Sequence, residues 1–66
     1  MPELVALMLW SVSLNGFTSV GRMDIAEAMN YGCLKMYEEP AIYDNHPERR
    51  PYVINHHGVK SPVKCD

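Results

Sequence analysis

An apolar run occupies residues 4–14 of the chain and is interrupted only by Ser11 and Ser13. Glu3 suits the positive end of a helix dipole, and Asn15-Gly16 is a typical helix stop. The pattern therefore predicts a helix over residues 3–14. Its apolar positions lie nearly all the way round, so we expect this helix to be buried on most sides.

A second helical pattern begins at Asp24, because an aspartate followed by Glu27 three residues later resembles a capping box. Apolar residues then recur at steps of three and four, which predicts one packed helix face over residues 24–39. These apolar residues are Ile25, Ala28, Met29, Gly32 and Met36. Pro40 ends the pattern. Residues 30–32 either continue the helix or form a turn that divides it into helices 24–30 and 33–39.

Residues 17–22 are expected to connect the two helices, and helical patterning stops after Pro40. Residues 41–50 are predicted to form a loop. Residues 52–54 have strand composition, and residues 59–63 are a weak partner for them. The two segments form either a small hairpin or an extended arm that lies on a neighbouring subunit.

Together these patterns predict a mainly α fold in a single small domain, 1–66, with a helical part at 1–40 and an extended arm or hairpin at 41–66. The 66 residues are 47% hydrophobic and 21% charged, which is typical of a folded chain and excludes a multi-domain enzyme. The net charge of -2 is opposite to that of most nucleic-acid-binding proteins. Residues 41–66 are mildly basic, with four bases against three acids.

Two cysteines are too few for a disulfide scaffold. We expect Cys33 to be a buried free thiol in the second helix and Cys65 to be an exposed one. Free thiols indicate a reducing compartment, so a cytoplasmic protein is expected. No basic residue precedes the first apolar run, which argues against a secretory signal. That run is also shorter than the roughly 20 residues that span a bilayer, so no membrane association is expected.

Potential metal ligands are concentrated near the end of the chain, but their spacing does not match structural zinc sites. They are His46, His56, His57, Cys65 and Asp66. The chain also has no glycine-rich phosphate loop, and so short a chain has little material to enclose a substrate pocket. We therefore predict no metal site, no cofactor, no catalytic residues and no enzymatic activity.

The segment from Arg22 to Asn30 resembles the first helix and turn of a helix-turn-helix motif. With helix 3–14 before it and a hairpin at 52–63 as a wing, the resemblance implies a winged helix that binds DNA. The residues implied in nucleic-acid contact are Lys35, Arg49, Arg50 and Lys60. The recognition helix would span residues 32–39, which offer one lysine, two glutamates and no Arg, Asn or Gln for base edges. DNA binding is therefore the alternative hypothesis.

The favoured hypothesis is a small non-enzymatic interaction or regulatory protein. Helix 3–14 has more apolar surface than so short a chain is expected to bury. Self-association as a dimer or larger, or docking on a larger protein partner, would cover the remainder. The expected partner-binding residues are Leu7, Met8, Trp10, Leu14 and Phe17. In the competing hypothesis, a single chain covers this helix itself with Phe17, Tyr31, Tyr37 and residues 52–54.

Overall fold

A four-stranded antiparallel sheet is the main layer of the protein in the computed structural model, which describes residues 3–65. The strands lie in the order β2-β1-β3-β4, and one long helix packs on one face of the sheet. The strands are β1 (Leu4–Ser11), β2 (Gly16–Asp24), β3 (Tyr52–Ile54) and β4 (Lys60–Pro62). The helices are α1 (Ile25–Glu38), the short α2 (Pro40–Tyr43) and a 3-10 turn (Pro47–Arg49).

The prediction of a mainly α fold is wrong, and the error begins with residues 3–14. Residues 4–11 form β1, a central strand that pairs with both β2 and β3. A short unbroken apolar run fits a strand buried on both sides as well as it fits a buried helix. Both faces of β1 are apolar, so the alternation that normally marks a strand is absent from the sequence.

The predicted helix stop and the connector after it are the turn and the second strand of a β-hairpin. Ser11 pairs with Gly16 across the turn, and Asn15 adopts a left-handed backbone conformation with φ 52°. Register shifts between Leu7 and Met8, because Val20 has no opposite residue on β1. This extra residue is a β-bulge, which increases the local twist of the hairpin.

The hydrophobic core lies between the sheet and α1. Its buried residues from the sheet side are Val5, Leu7, Leu9, Val53 and Val63, and α1 contributes Ala28. Four half-buried residues pack against them: Met23, Met29, Cys33 and Met36. We call the sheet face that packs against α1 the covered face. Successive strand residues point to opposite sides of the sheet, so every second residue of β1 lies on the covered face.

Helix α1 confirms most of the second helical pattern, but the placement of Ile25 on its packed face is wrong, because this first residue of the helix is 52% exposed. The Asp24 carboxylate caps it by accepting a hydrogen bond from the Glu27 N–H at 2.9 Å. The helix continues through residues 30–32 without a break. Gly32 is buried against Val63, the residue that follows β4. A Cβ added to Gly32 would lie only 2.9 Å from Cγ1 of Val63. The close approach of the two segments explains why a glycine is tolerated in the helix interior.

The C-terminal residues form a hairpin that belongs to the same sheet, not an extended arm. β3 pairs with β1, and β4 pairs with β3 at the sheet edge. The Asn55 side-chain oxygen accepts hydrogen bonds from the N–H groups of His57 and Val59, at 2.9 and 3.0 Å. Pro62 lies on the edge strand, where a missing N–H donor is tolerated.

The expectation of two free thiols is wrong, because Cys33 and Cys65 form a disulfide with their Cα atoms 5.6 Å apart. The bond joins the middle of α1 to the segment that follows β4. Sequence spacing did not indicate this pairing, because the prediction placed Cys33 in a helix remote from the C-terminal arm. Within residues 3–65, no helix has the length and apolar character needed to cross a membrane.

Candidate functional site

Among residues 3–65, no helix or strand covers the sheet face turned away from α1, and we call this face the open face. Residues directly opposite each other on antiparallel strands share a face, so the register assigns its members. They are Leu4, Ala6, Met8, Trp10, Phe17, Ser19, Arg22, Asp24, Tyr52, Ile54, Lys60 and Pro62. None of them is buried, and Met8, Trp10, Phe17 and Tyr52 are half-buried.

Three aromatic rings from three neighbouring strands meet on the open face, and we call them the aromatic cluster. Trp10 and Phe17 are directly opposite each other on β1 and β2. Their ring centroids are 5.3 Å apart at 87°. The Phe17 ring lies 4.8 Å from the Tyr52 ring at 68°. Edge-to-face contacts of this kind add roughly 0.5–1.5 kcal/mol each beyond area burial, so the cluster is held in a defined arrangement.

Two cations lie against the aromatic cluster. The Arg49 guanidinium carbon is 5.1 Å from the centroid of the Trp10 ring, and the Lys60 ammonium is 5.0 Å from that of Tyr52. Both distances fall within the roughly 6 Å range of a cation–π interaction. Arg22 adds a third positive charge, because it is opposite Ala6 on the same face. The open face therefore combines π surface with positive charge.

The acidic residues lie mainly away from the open face. Glu27 and Glu38 belong to α1, and Glu39 follows it directly. Asp24 is at the end of β2, but its carboxylate is engaged in capping α1. Although the net charge of the whole chain is -2, the open face is locally positive.

The structure divides the predicted partner-binding residues between the two sides of the sheet. Met8, Trp10 and Phe17 lie on the open face. Leu7 is fully buried on the covered face, with 0% exposure. Leu14 is in the turn between β1 and β2 and is 69% exposed. Three of the five residues therefore share one surface, although it is a sheet surface rather than the face of a helix.

The residues of the alternative hypothesis are also divided. Arg49 and Lys60 lie beside the aromatic cluster. Lys35 is on α1, where its ammonium lies 3.8 Å from Glu38 and 5.8 Å from the centre of the Tyr31 ring. Arg50 lines an open cleft of about 780 Å³ beside the disulfide. The winged-helix arrangement is wrong, since its first helix is β1.

Tyr52 and Arg22 belong to the open face but were not identified from the sequence. The dipeptide Asn15-Gly16, which is also a strong hairpin signal, could have indicated that Trp10 and Phe17 lie on paired strands. The observed hairpin brings Trp10 opposite Phe17 through a turn at residues 12–15, because Ser11 pairs with Gly16. A two-residue turn at Asn15-Gly16 would instead place Leu14 opposite Phe17, so the dipeptide indicates the hairpin but not its register. The position of Tyr52 depends on pairing between β1 and β3, which is distant in sequence and leaves no local signature.

The histidines form two separate carboxylate contacts. His56 Nδ1 lies 2.5 Å from the Glu3 carboxylate, and the His56 N–H also donates to it at 3.4 Å. These bonds, the backbone one first, lower the pKa of Glu3. The pKa of Glu48 is lowered by its own backbone N–H and then by His46, 3.3 Å away. On the helix side, burial raises the pKa of Tyr43.

The metal-ligand candidates do not converge. In the part of the chain that the structure describes, no three His, Cys, Asp or Glu side chains form a group suited to a metal ion. Cys65 is in the disulfide, and Asp66 is outside the described residues. The absence of a cofactor and of catalysis stays a prediction.

Comparison with known proteins adds no relative to this description. No protein-family model, curated protein or solved structure matches the chain.

Proposed function

We propose that the protein is a small non-enzymatic binding protein that engages a macromolecular partner through the open face of its sheet. The observation that supports this proposal is the aromatic cluster, whose three rings are held together on a face that α1 does not cover. Sheets normally bury each apolar face against another layer. Here one layer is supplied by α1, and the partner would supply the other.

The composition of the open face favours binding over a purely structural role. Aromatic residues and arginine are enriched at the centres of interfaces, where they contribute most of the binding energy. On this face Arg49 contacts the Trp10 ring, and the Phe17 ring contacts both Trp10 and Tyr52. The rings are only half-buried in the isolated chain, so a partner would remove further apolar surface from water at roughly 25 cal/mol per Å².

The proposal retains the interaction function expected from the sequence and moves it to another element. The apolar run of residues 4–11 is not a helix with surplus apolar surface, because three of the eight side chains of β1 are buried against α1: those of Val5, Leu7 and Leu9. The predicted self-association and the predicted larger protein partner become two candidate uses of the open face.

A photo-crosslinking experiment in the cells that make the protein tests the proposal. Benzoylphenylalanine is placed at Ser19, an exposed position of the open face opposite Met8. The matched control places it at Tyr37, which is 73% exposed on α1. We expect adducts from position 19 that are lost when Trp10→Ala is added. Equal adducts from both positions, or adducts from position 37 alone, would contradict the proposal.

A further inference from the structure

We infer that the partner of the open face is single-stranded nucleic acid, whose bases stack on the aromatic cluster while its phosphates contact Arg22, Arg49 and Lys60. This inference rests on the proposed function, because it names the occupant of the same surface. It is carried by the combination of rings and cations on one face.

The first step is the kind of surface that the aromatic cluster presents. Proteins that bind single strands stack bases on exposed aromatic side chains and follow the backbone with positive charge. Sheets that present aromatic rings from neighbouring strands bind single-stranded RNA in this way. Trp10, Phe17 and Tyr52 come from three adjacent strands, β1, β2 and β3. The contacts run from Trp10 to Phe17 and from Phe17 to Tyr52, so the Phe17 ring of β2 lies between the other two rings and reaches across β1 to β3.

The second step is charge complementarity. The Arg49 guanidinium lies 5.1 Å from the centroid of the Trp10 ring, and the Lys60 ammonium lies 5.0 Å from that of the Tyr52 ring. Arg22 lies on the same face, opposite Ala6. An occupant of this face must therefore place negative charge beside flat apolar groups. A single strand does so at every nucleotide, since each one has a base with a π face and a phosphate.

The third step is the comparison with a second copy of this chain. Two open faces brought together would place Arg22, Arg49 and Lys60 of one copy near the same three cations of the other. Like charges opposed across an interface are unfavourable. Asp24, at the end of this face, keeps its negative charge while it caps α1, and one carboxylate against three cations leaves each face with an excess of positive charge. Charge therefore favours an anionic partner over self-association.

Duplex DNA does not fit the same surface. Bases in a duplex are stacked on each other and present only their edges in the grooves, so they are not free to stack on the rings of the aromatic cluster. The described elements also leave no helix with base-reading side chains on the open face, because α1 is on the opposite side of the sheet. The expected preference is single strand over duplex.

Fluorescence anisotropy with the full chain tests the inference. The probes are fluorescein-labelled oligodeoxythymidine and oligouridine of about 12 nucleotides, within the span of roughly 4–16 nucleotides bound by comparable single-strand folds. At low salt we expect dissociation constants between about 1 and 100 µM, and weaker binding to a duplex of equal length. Binding of the DNA or the RNA probe alone would identify which of the two strands is the partner, and either supports the inference.

Salt dependence gives a second, independent readout. Three phosphate contacts on a single strand predict a slope of about -2 for the logarithm of the association constant against that of the salt concentration. Arg49→Gln and Lys60→Gln should each reduce the magnitude of the slope by about 0.7. Lys64→Gln, on an exposed residue outside the open face, is the control and should leave it unchanged.

Ring substitutions complete the test. Phe17→Leu and Tyr52→Leu should each raise the dissociation constant by at least about 5-fold, as expected for the loss of one stacked base. Tyr37→Leu, on the exposed side of α1, should not change it. Circular dichroism of each variant confirms folding, and the slopes of the charge variants decide the question if a ring variant unfolds.

The outcomes separate this inference from the proposed function. No binding of either single strand at about 50 mM salt, or binding that no open-face substitution weakens, would overturn the inference. Nuclease treatment of the adducts from position 19 gives the same distinction in cells. Adducts whose electrophoretic mobility nuclease does not change would retain the open face as a binding site and exclude nucleic acid as its partner.

Discussion

The two faces of β1 differ in composition and in burial. Val5, Leu7 and Leu9 point toward α1 and are buried, whereas Met8 and Trp10 point the other way and are only half-buried. The covered face uses aliphatic residues that pack at high density. The open face uses a thioether and rings with cations against them. The covered face therefore determines stability, and the open face is available for binding.

Leu7→Ala should have the largest effect on stability. The side chain is fully buried on the covered face, so its loss should lower the free energy of unfolding by about 2–5 kcal/mol through lost burial and a cavity. Met8→Ala, the next residue along the strand, is the matched control and should cost less than about 1.5 kcal/mol. Urea denaturation measures both. A larger loss for Met8→Ala would reverse the assignment of the two faces.

The disulfide should be the second largest contribution. Cys33 and Cys65 are separated by 32 residues, and a closed loop of this size is expected to stabilise the fold by about 3–4 kcal/mol. The double variant Cys33→Ser/Cys65→Ser should unfold at lower urea than the oxidised wild type. Reductant should lower the wild-type midpoint and leave that of the variant unchanged. Equal midpoints in all conditions would show that the bond does not support the fold.

Gly32→Ala tests the close contact between α1 and the residue after β4. Alanine normally stabilises a helix interior by about 1 kcal/mol relative to glycine. Here the added Cβ would lie 2.9 Å from Val63, so we expect a loss of roughly 1–3 kcal/mol instead. In a Val63→Ala background the same substitution should recover its normal stabilising sign. A stabilising effect in the wild-type background would contradict the close contact.

The sequence predicted α1 well because the helix has local signals. Asp24 caps the helix, and apolar residues recur at helical spacing along its packed face. Residues 4–14 have no such internal evidence, since an apolar run with no alternation does not distinguish helix from strand. Long-range pairing determines the element type instead, because β2 and β3 both pair with these residues and make them the central strand β1.

The candidate site was predicted only in part for the same reason. Trp10 and Phe17 were selected for their size and are on the open face, whereas Leu7 was selected from the same run and is buried. A strand sends consecutive residues to opposite sides. Without the correct element type, the sequence does not indicate which large residues share a surface.

The smallest predicted effect concerns pH. The pKa of Glu3 is lowered from 4.5 by its bonds to His56, so the ionised carboxylate is favoured in the folded state. The resulting stabilisation is present above pH 4.5 and is lost as the pH falls through the lowered folded-state pKa. Urea midpoints of the wild type and Glu3→Gln should differ at neutral pH and converge in acid. A difference that grows in acid would contradict the contact.

The most direct test of the account is the accessibility of Trp10, the one tryptophan in the sequence. Its fluorescence reports on the open face without any substitution. In dilute protein, where light scattering shows a single chain, acrylamide should quench this emission readily, and a saturating single-stranded oligonucleotide should protect it. Emission in the free single chain that acrylamide does not quench would show that the face is closed by the chain itself, which contradicts an open binding surface.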